Sequence, residues 1–185
     1  VEKILLSLKS NDVIVSTTGV ASRELFELRK KLNHGHEKDF LTVGGMGHAS
    51  QIALGIALGS PEKNIYCLDG DGAFLMHMGS AAINAAVGGV NYKHILLNNN
   101  AHESVGGQST LTSNVDFVSL ATSVGYAWSF SVDNEGELSK KISDLSIVDG
   151  PAFLEVKIQV RHSDDLGRPT TTPQQNKYEL MEFLR

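Results

Sequence analysis

The sequence predicts an α/β fold, a doubly wound parallel sheet with helices on both faces. Short apolar runs alternate with segments of helical periodicity along most of the chain. The runs are apolar at consecutive positions, as strands buried on both faces are. Glycines and short polar residues stand directly after these runs. That is where an open parallel sheet presents its ligand crevice.

The elements follow in order. Asp12 to Ser16 reads as the first strand, and Ser22 to Leu28 has apolar residues at helical spacing. Phe40 to Val43 is the second strand and Ala49 to Leu58 the next helix. Ile65 to Leu68 is the third strand, followed by an Ala-rich helix through Ala81, Ala82, Ala85 and Ala86. His94 to Leu97 is the fourth strand. Asp116 to Val124 reads as helix, Ala127 to Val132 as strand, Glu135 to Ile147 as helix and Ala152 to Ile158 as strand. Beyond Val160 the chain turns polar. Arg161 to Gln175 holds Pro169 and Pro173 and reads as an extended crossing segment, with a short helix from Asn176 to Leu184. The 185 residues suffice for one core and not for two ordinary domains, so one domain over 1–185 is expected.

Composition removes several classes of function. The net charge is −5, with no basic run or basic–aromatic interleaving, which argues against nucleic acid. The chain has no stretch of 18 apolar residues, so no membrane span is expected. No basic segment followed by an apolar one suggests a signal peptide, and the start at Val1 suggests processing or an excised piece. Cys67 is the lone cysteine and reads as a buried strand residue. Without Cys pairs, an iron–sulfur or structural zinc site is not expected. A cytoplasmic setting is the expectation.

Four strand ends carry the chemistry. The first ends in Thr17-Thr18-Gly19 and the second in Gly44-Gly45-Met46-Gly47-His48. The third ends in Asp69-Gly70-Asp71-Gly72 and the fourth in Asn98-Asn99-Asn100-Ala101-His102. Such residues leave bare backbone donors at helix N-termini, which suit phosphate. Asp71 adds a carboxylate, Asn99 an amide oxygen and Ala101 a carbonyl. That sparse oxygen set suits Mg²⁺, which completes its octahedron with phosphate oxygens and water. The reading is a metal that bridges protein and diphosphate.

The Gly70-Asp71-Gly72 triplet, the interval Ala73 to Leu97, the Asn98-Asn99 pair and the upstream Gly-Gly-Met-Gly together resemble the thiamine-diphosphate enzyme family. The resemblance implies thiamine diphosphate and Mg²⁺ as cofactors. It implies Asp71, Asn99 and the Ala101 carbonyl as metal ligands; the spacing alone leaves Asn98 open as well. Thr18, Gly19, Gly45, Gly70, Gly72, Ala73 and Ser104 fall in the cofactor-binding set. Met46 resembles the apolar wedge beneath the bent cofactor, with the Gly44 carbonyl accepting from the aminopyrimidine. Met46 also reads as a core gap-filler.

Four longer blocks narrow the resemblance. They are Ser16–Gly19 with Ser22–Phe26, then 47–55, 99–108 and 165–173. Together they resemble the carboxy-terminal half of the phosphonopyruvate decarboxylases. Val20 departs from the pattern, where Lys or another polar residue is expected. The sulfopyruvate decarboxylase β subunit is the near alternative. The resemblance implies that the activating glutamate comes from a pyrimidine-binding domain or α subunit, in a homo- or hetero-oligomer, so this chain alone should be inactive. Glu24, Glu27, Glu103 and Glu135 are not given that role, and Glu24 and Glu27 read as a solvated helix face.

His48 and His102 are the candidate catalytic residues, at strand ends that face one crevice. Each could meet an anionic substrate, move a proton or make a structural hydrogen bond. Arg161 and Arg168 could grip a phosphonate or sit solvated. His34, His36, His77, His94 and His162 have no such placement. A Rossmann dehydrogenase is poorly supported, since Gly45-Met46-Gly47 lacks its third glycine and no acidic residue follows at the right distance. A 2-oxoacid oxidoreductase β subunit would carry cluster cysteines. A free-standing, non-catalytic cofactor module is the remaining alternative, and intact Asp71 and Asn99 favour a working metal site over a relic.

Overall fold

The structure is a computed structural model that describes residues 1–160 and 166–185. Six parallel strands form one sheet in the order β2-β1-β3-β4-β6-β5. They are β1 (Val13–Ser16), β2 (Asp39–Leu41), β3 (Ile65–Gly70), β4 (Tyr92–Asn98), β5 (Trp128–Val132) and β6 (Ala152–Lys157). The helices are α1 (Glu2–Ser7), α2 (Val20–Lys31), α3 (Ala49–Gly59), α4 (Asp71–Met76), α5 (Ser80–Val87), α6 (Phe117–Val124), α7 (Glu135–Ile147) and α8 (Pro173–Leu184). Both the α/β class and the two-sided covering are as the sequence predicts. No helix among the described residues is long and apolar enough to cross a membrane.

The alternation of side chains along each strand divides the core in two. Val13, Val15, Ile65, Cys67, Tyr92, Leu96 and Phe153 face α3, α6 and α8, where Ala53, Phe117 and Leu180 pack on them. Ile14, Tyr66, Leu68, Ile95, Leu97 and Leu154 face α1, α2 and α7, against Ile4, Leu25 and Leu145. Cys67 is fully buried on β3, and burial pushes its thiol up.

Several boundaries differ from expectation, each for a local reason. The segment after β3 is two helices, because α4 stops at Met76 and α5 starts at Ser80. α1 was not expected; it is six residues long and its apolar signal is only Ile4 and Leu5. α8 begins at Pro173, not Asn176. Thr172 accepts the Gln175 N–H and the Gln175 side chain answers at the Thr172 N–H, so Pro173 opens the helix as its first residue. The expected extended segment therefore ends at Thr172, and its residues Arg161, His162 and Asp165 lie outside the described ones.

Two long-range ties fix the sheet's β2 margin. Arg29 on α2 donates to both Asp39 oxygens, at 2.8 and 2.7 Å, with both side chains buried. Burial raises the Asp39 carboxyl above its ordinary range, and the guanidinium opposes that rise. Asn176 on α8 accepts the Leu41 N–H at 2.8 Å and donates to the Asp39 carbonyl at 2.6 Å. Asp39→Ala leaves a buried guanidinium without its carboxylate. The expected loss is roughly 3–5 kcal/mol of unfolding free energy, checked by denaturant titration of the variant beside its parent.

Candidate functional site

From β1 the chain winds to β2 on one side, then returns to lay β3 on the other. The carboxyl ends of β1 and β3 are neighbours, with Ser16 in register with Leu68 and the Thr17 N–H on the Leu68 carbonyl at 2.7 Å. α2 leaves β1 on one face of the sheet and α4 leaves β3 on the other, so a crevice stays open at the reversal. A cavity of about 250 Å³ lies there. Its wall takes Thr17 to Ala21 and Glu24 from the β1 end, Gly70 to Ala73 from the β3 end, Asn99 and Ala101 to Val105 from the β4 end, and Met46, Leu97 and Ile158.

The wall is rich in unsatisfied donors. α2 starts at Gly19, which has φ +97° and offers no side-chain cap. The first-turn N–H groups of Val20 and Ala21 thus remain for a ligand. Ser104 reaches across to Gly19, where a Cβ would stand 3.1 Å from Ser104 Oγ. The Thr17 hydroxyl is buried with no hydrogen-bond partner among the described residues. Buried orphans of this kind are uncommon and suit a polar ligand.

Asp71 is buried at the start of α4. Its Oδ2 accepts from the hydroxyls of Thr110 and of Thr112, the latter at 2.8 Å. No donor among the described residues reaches Oδ1. The two asparagines of the pair point to different places. Asn98 ends β4, is buried, and donates to Glu155 on β6 at 2.7 Å. Asn99 lines the cavity, donates Nδ2 to Glu103 Oε2 at 2.8 Å, and accepts the Ala101 N–H on Oδ1 at 3.0 Å. No backbone N–H of the described residues is bonded to the Ala101 carbonyl. Asp71 Oδ1, Asn99 Oδ1 and the Ala101 carbonyl are a donor set fit for a hard dication that keeps further oxygen ligands.

His102 lies over Gly72. An ideal Cβ at Gly72 would stand 2.6 Å from His102 Cε1 and 3.0 Å from Thr110 Cγ2. The glycine there lets the imidazole lie against the backbone of α4. The loop that carries His102 closes on itself: its N–H donates to the Gln108 carbonyl at 2.8 Å, and the Thr110 N–H to the Asn100 carbonyl at 3.1 Å.

Of the residues singled out in the sequence, Thr18, Gly19, Met46, Gly70, Asp71, Gly72, Ala73, Asn99, Ala101, His102 and Ser104 share this cavity. Gly44, Gly45 and His48 are not in its wall. His48 is exposed before α3, and its ring lies 4.5 Å from that of His77, which the sequence reading had set aside. Glu24, expected on a solvated face, lines the cavity because α2 presents its first turn there. Glu103, Thr110 and Thr112 carried no sequence signal of their own, whereas Thr17 stood in the strand end Thr17-Thr18-Gly19 without a role. They reach the site through loop closure and the end of β1.

Behind the cavity, Cys67, Asp69 and His94 bring three donor atoms within 4.8 Å of one another. They are better read as a buried polar pair beside a thiol than as a metal centre. His94 Nε2 faces Asp69 Oδ2 at 3.4 Å, and its Nδ1 meets the Tyr126 hydroxyl at 3.0 Å. Burial and the nearby Asp69 disfavour the thiolate that a metal would need.

A family model described as "Thiamine pyrophosphate enzyme, C-terminal TPP binding domain" matches residues 17–156. A phosphonopyruvate decarboxylase of Streptomyces viridochromogenes is 38% identical over 93% of this chain and 42% of its own length. A sulfopyruvate decarboxylase subunit beta of Methanothermobacter thermautotrophicus is 31% identical over 83% of this chain and 77% of its own. The chain thus spans less than half the length of the first relative and most of the second. Among solved structures, the benzoylformate decarboxylase of Polynucleobacter necessarius superposes with a TM-score of 0.67 at 17% identity, over 88% of this chain and 33% of that one. That likeness concerns the fold alone.

The close packing at Gly72 generates a paired expectation. Gly72→Ala pushes His102 and Thr110 aside and lowers thiamine diphosphate affinity in calorimetric titration, at a stability cost of about 1–3 kcal/mol for overpacking. Gly55→Ala on α3, where a Cβ meets nothing within 4 Å, leaves affinity unchanged. It raises stability by roughly 0.5–1 kcal/mol through helix propensity.

Proposed function

We propose, for a chain that belongs to the thiamine pyrophosphate enzymes through their C-terminal TPP-binding domain, that it is the diphosphate- and Mg²⁺-binding part of a 3-phosphonopyruvate decarboxylase. The reaction gives phosphonoacetaldehyde and CO₂. The observation that carries the substrate is the 38% identity to a phosphonopyruvate decarboxylase over 93% of the chain.

The residues present fit the cofactor. Asp71 Oδ1, Asn99 Oδ1 and the Ala101 carbonyl would hold Mg²⁺. The N–H groups at the start of α2, the Thr17 and Ser104 hydroxyls, Thr18, Gly19, Gly70, Gly72 and Ala73 would take the diphosphate. Thiamine diphosphate, when bound, supplies the carbon nucleophile and the electron sink for loss of the carboxylate. Met46, in the cavity wall, would contact it, and the Gly44 carbonyl, with Gly45 beside it and both outside that wall, would accept from its aminopyrimidine. His102, whose ring lies over Gly72, would donate to an anionic group. His48, outside the cavity wall, is a weaker candidate for the same task, and Arg168 serves it only if its tail swings inward.

The activating glutamate belongs in this reading to a pyrimidine-binding half or an α subunit, so the working enzyme is an oligomer and this chain alone turns over nothing. A cytoplasmic setting is part of the reading and is supported by a lone, buried cysteine. The sulfopyruvate decarboxylase β subunit remains the second reading. It is favoured by the 77% of that subunit's length that the chain covers and disfavoured by the lower identity of 31%.

Two expectations follow in the complete enzyme. Asp71→Ala abolishes Mg²⁺-dependent uptake of thiamine diphosphate, since it removes the charged member of the ligand set; unchanged affinity by calorimetry would contradict the metal assignment. For substrate, kcat/KM is highest for 3-phosphonopyruvate, ahead of 3-sulfopyruvate and pyruvate. His102→Ala lowers it about ten- to hundredfold for the phosphonate, the worth of one charge-assisted hydrogen bond, and much less for pyruvate. A preference for sulfopyruvate in the parent selects the second reading. An equal loss on both substrates assigns His102 to the cofactor or the fold.

A further inference from the structure

An asparagine serves as a metal ligand in one of its two amide orientations only. The oxygen has lone pairs to give and the NH₂ group has none. A side-chain amide turns over by rotation about one soft torsion, so something has to choose the orientation. At Asn99 the choice is visible. Nδ2 donates to Glu103 Oε2 at 2.8 Å, and Oδ1 accepts the Ala101 N–H at 3.0 Å. Turning the amide over sets an oxygen against a carboxylate and an NH₂ against an N–H, so both contacts become repulsive.

We propose that Glu103 is a positioning residue for the metal: it fixes the Asn99 amide with its oxygen toward the cavity and polarises that oxygen. This rests on the reading of Asn99 as a Mg²⁺ ligand. The Glu103 side chain is delivered by the loop itself. It stands in a 3₁₀ turn, Glu103–Val105, whose ends are held when the Val105 and Gly107 N–H groups donate to the His102 carbonyl at 3.1 and 3.0 Å. Its carboxylate accepts a hydrogen bond from the amide NH₂, which shifts electron density toward Oδ1 and makes that oxygen a better ligand. Oδ1 keeps a second lone pair after accepting from Ala101, and that pair is the one available to a cation. The same loop carries Thr110 and Thr112, which occupy Asp71 Oδ2. One segment, 103–112, thus orients both side-chain ligands.

The test uses the complete enzyme and two variants. Glu103→Ala removes the acceptor, and Glu103→Gln keeps an oxygen at the same reach. The parent is titrated first, by calorimetry of thiamine diphosphate at a series of Mg²⁺ concentrations. Failure of the parent to show Mg²⁺-dependent uptake removes the cofactor reading itself, separately from the role of Glu103. Given a parent that binds, Glu103→Ala is expected to raise the Mg²⁺ concentration for half-maximal uptake about ten- to hundredfold, the usual effect of losing such a partner. Glu103→Gln recovers most of the loss. The thermal midpoint without cofactor stays with the parent in both variants. A merely structural role would lower that midpoint instead. The proposal is overturned if Glu103→Ala matches the parent's Mg²⁺ dependence, or if Ala and Gln lose equally, which would assign the effect to the carboxylate's charge and not to its hold on Nδ2.

Discussion

A parallel strand's backbone is satisfied by its neighbours only as far as the sheet extends, and beyond the carboxyl ends of β1 and β3 the sheet stops. At this junction the winding reverses, so helices that leave the two sides do not close the gap. The chain meets the open space with Gly19 and Gly70, which cap α2 and α4 without side-chain caps. Donors therefore accumulate on one wall of the cavity. The loop after β4 brings the oxygens of Asn99 and Ala101 to the other wall, beside Asp71. In the proposed reading, a diphosphate held by the donors and a dication held by the oxygens would neutralise one another across that space.

The oxygen wall has a logic of its own. Thr112 Oγ1 lies within 3.3 Å of Asp71 Oδ2, Asn98 Oδ1, Asn100 Oδ1 and Thr110 Oγ1. A hydroxyl carries one proton, so these acceptors share few hydrogens. Each acceptor left over is an oxygen in want of positive charge, and all of the cluster but the exposed Asn100 is buried. The Asn98 amide is spoken for by Glu155, which ties β4 to β6 beneath the loop.

Much of this was legible in the chain. Most strands were readable because each holds a short apolar run between helical segments, although β5 alternates with Ser129 and Ser131, and α7 runs over the residues expected, Glu135 to Ile147, opened by the Asn134 cap. The cavity's main residues were readable because they stand at strand ends. Spacing left Asn98 and Asn99 undecided; in the structure Asn98 ends β4, buried against Glu155, whereas Asn99 follows the strand and lines the cavity. Thr110, Thr112 and Glu103 were not legible, because they reach the site by a loop closing through backbone hydrogen bonds that leave no periodicity. The start of α8 was missed because Pro173 was weighed as a breaker, although proline is well suited to a helix's first position.

The contact between Asn176 and β2 has a consequence for the sheet's margin. β2 is an outermost strand of only three residues. An outermost strand normally shows a free N–H and C=O to any chain that can pair with it. Here one side-chain amide occupies the Leu41 N–H and the Asp39 carbonyl, with the donor and acceptor that the peptide group of a seventh strand would bring. Asn176 thus acts as a strand one residue long, which ends the sheet and leaves no template for another molecule to extend. Protection of this edge against pairing with another strand is in this way assigned to the last helix, far from β2 in sequence.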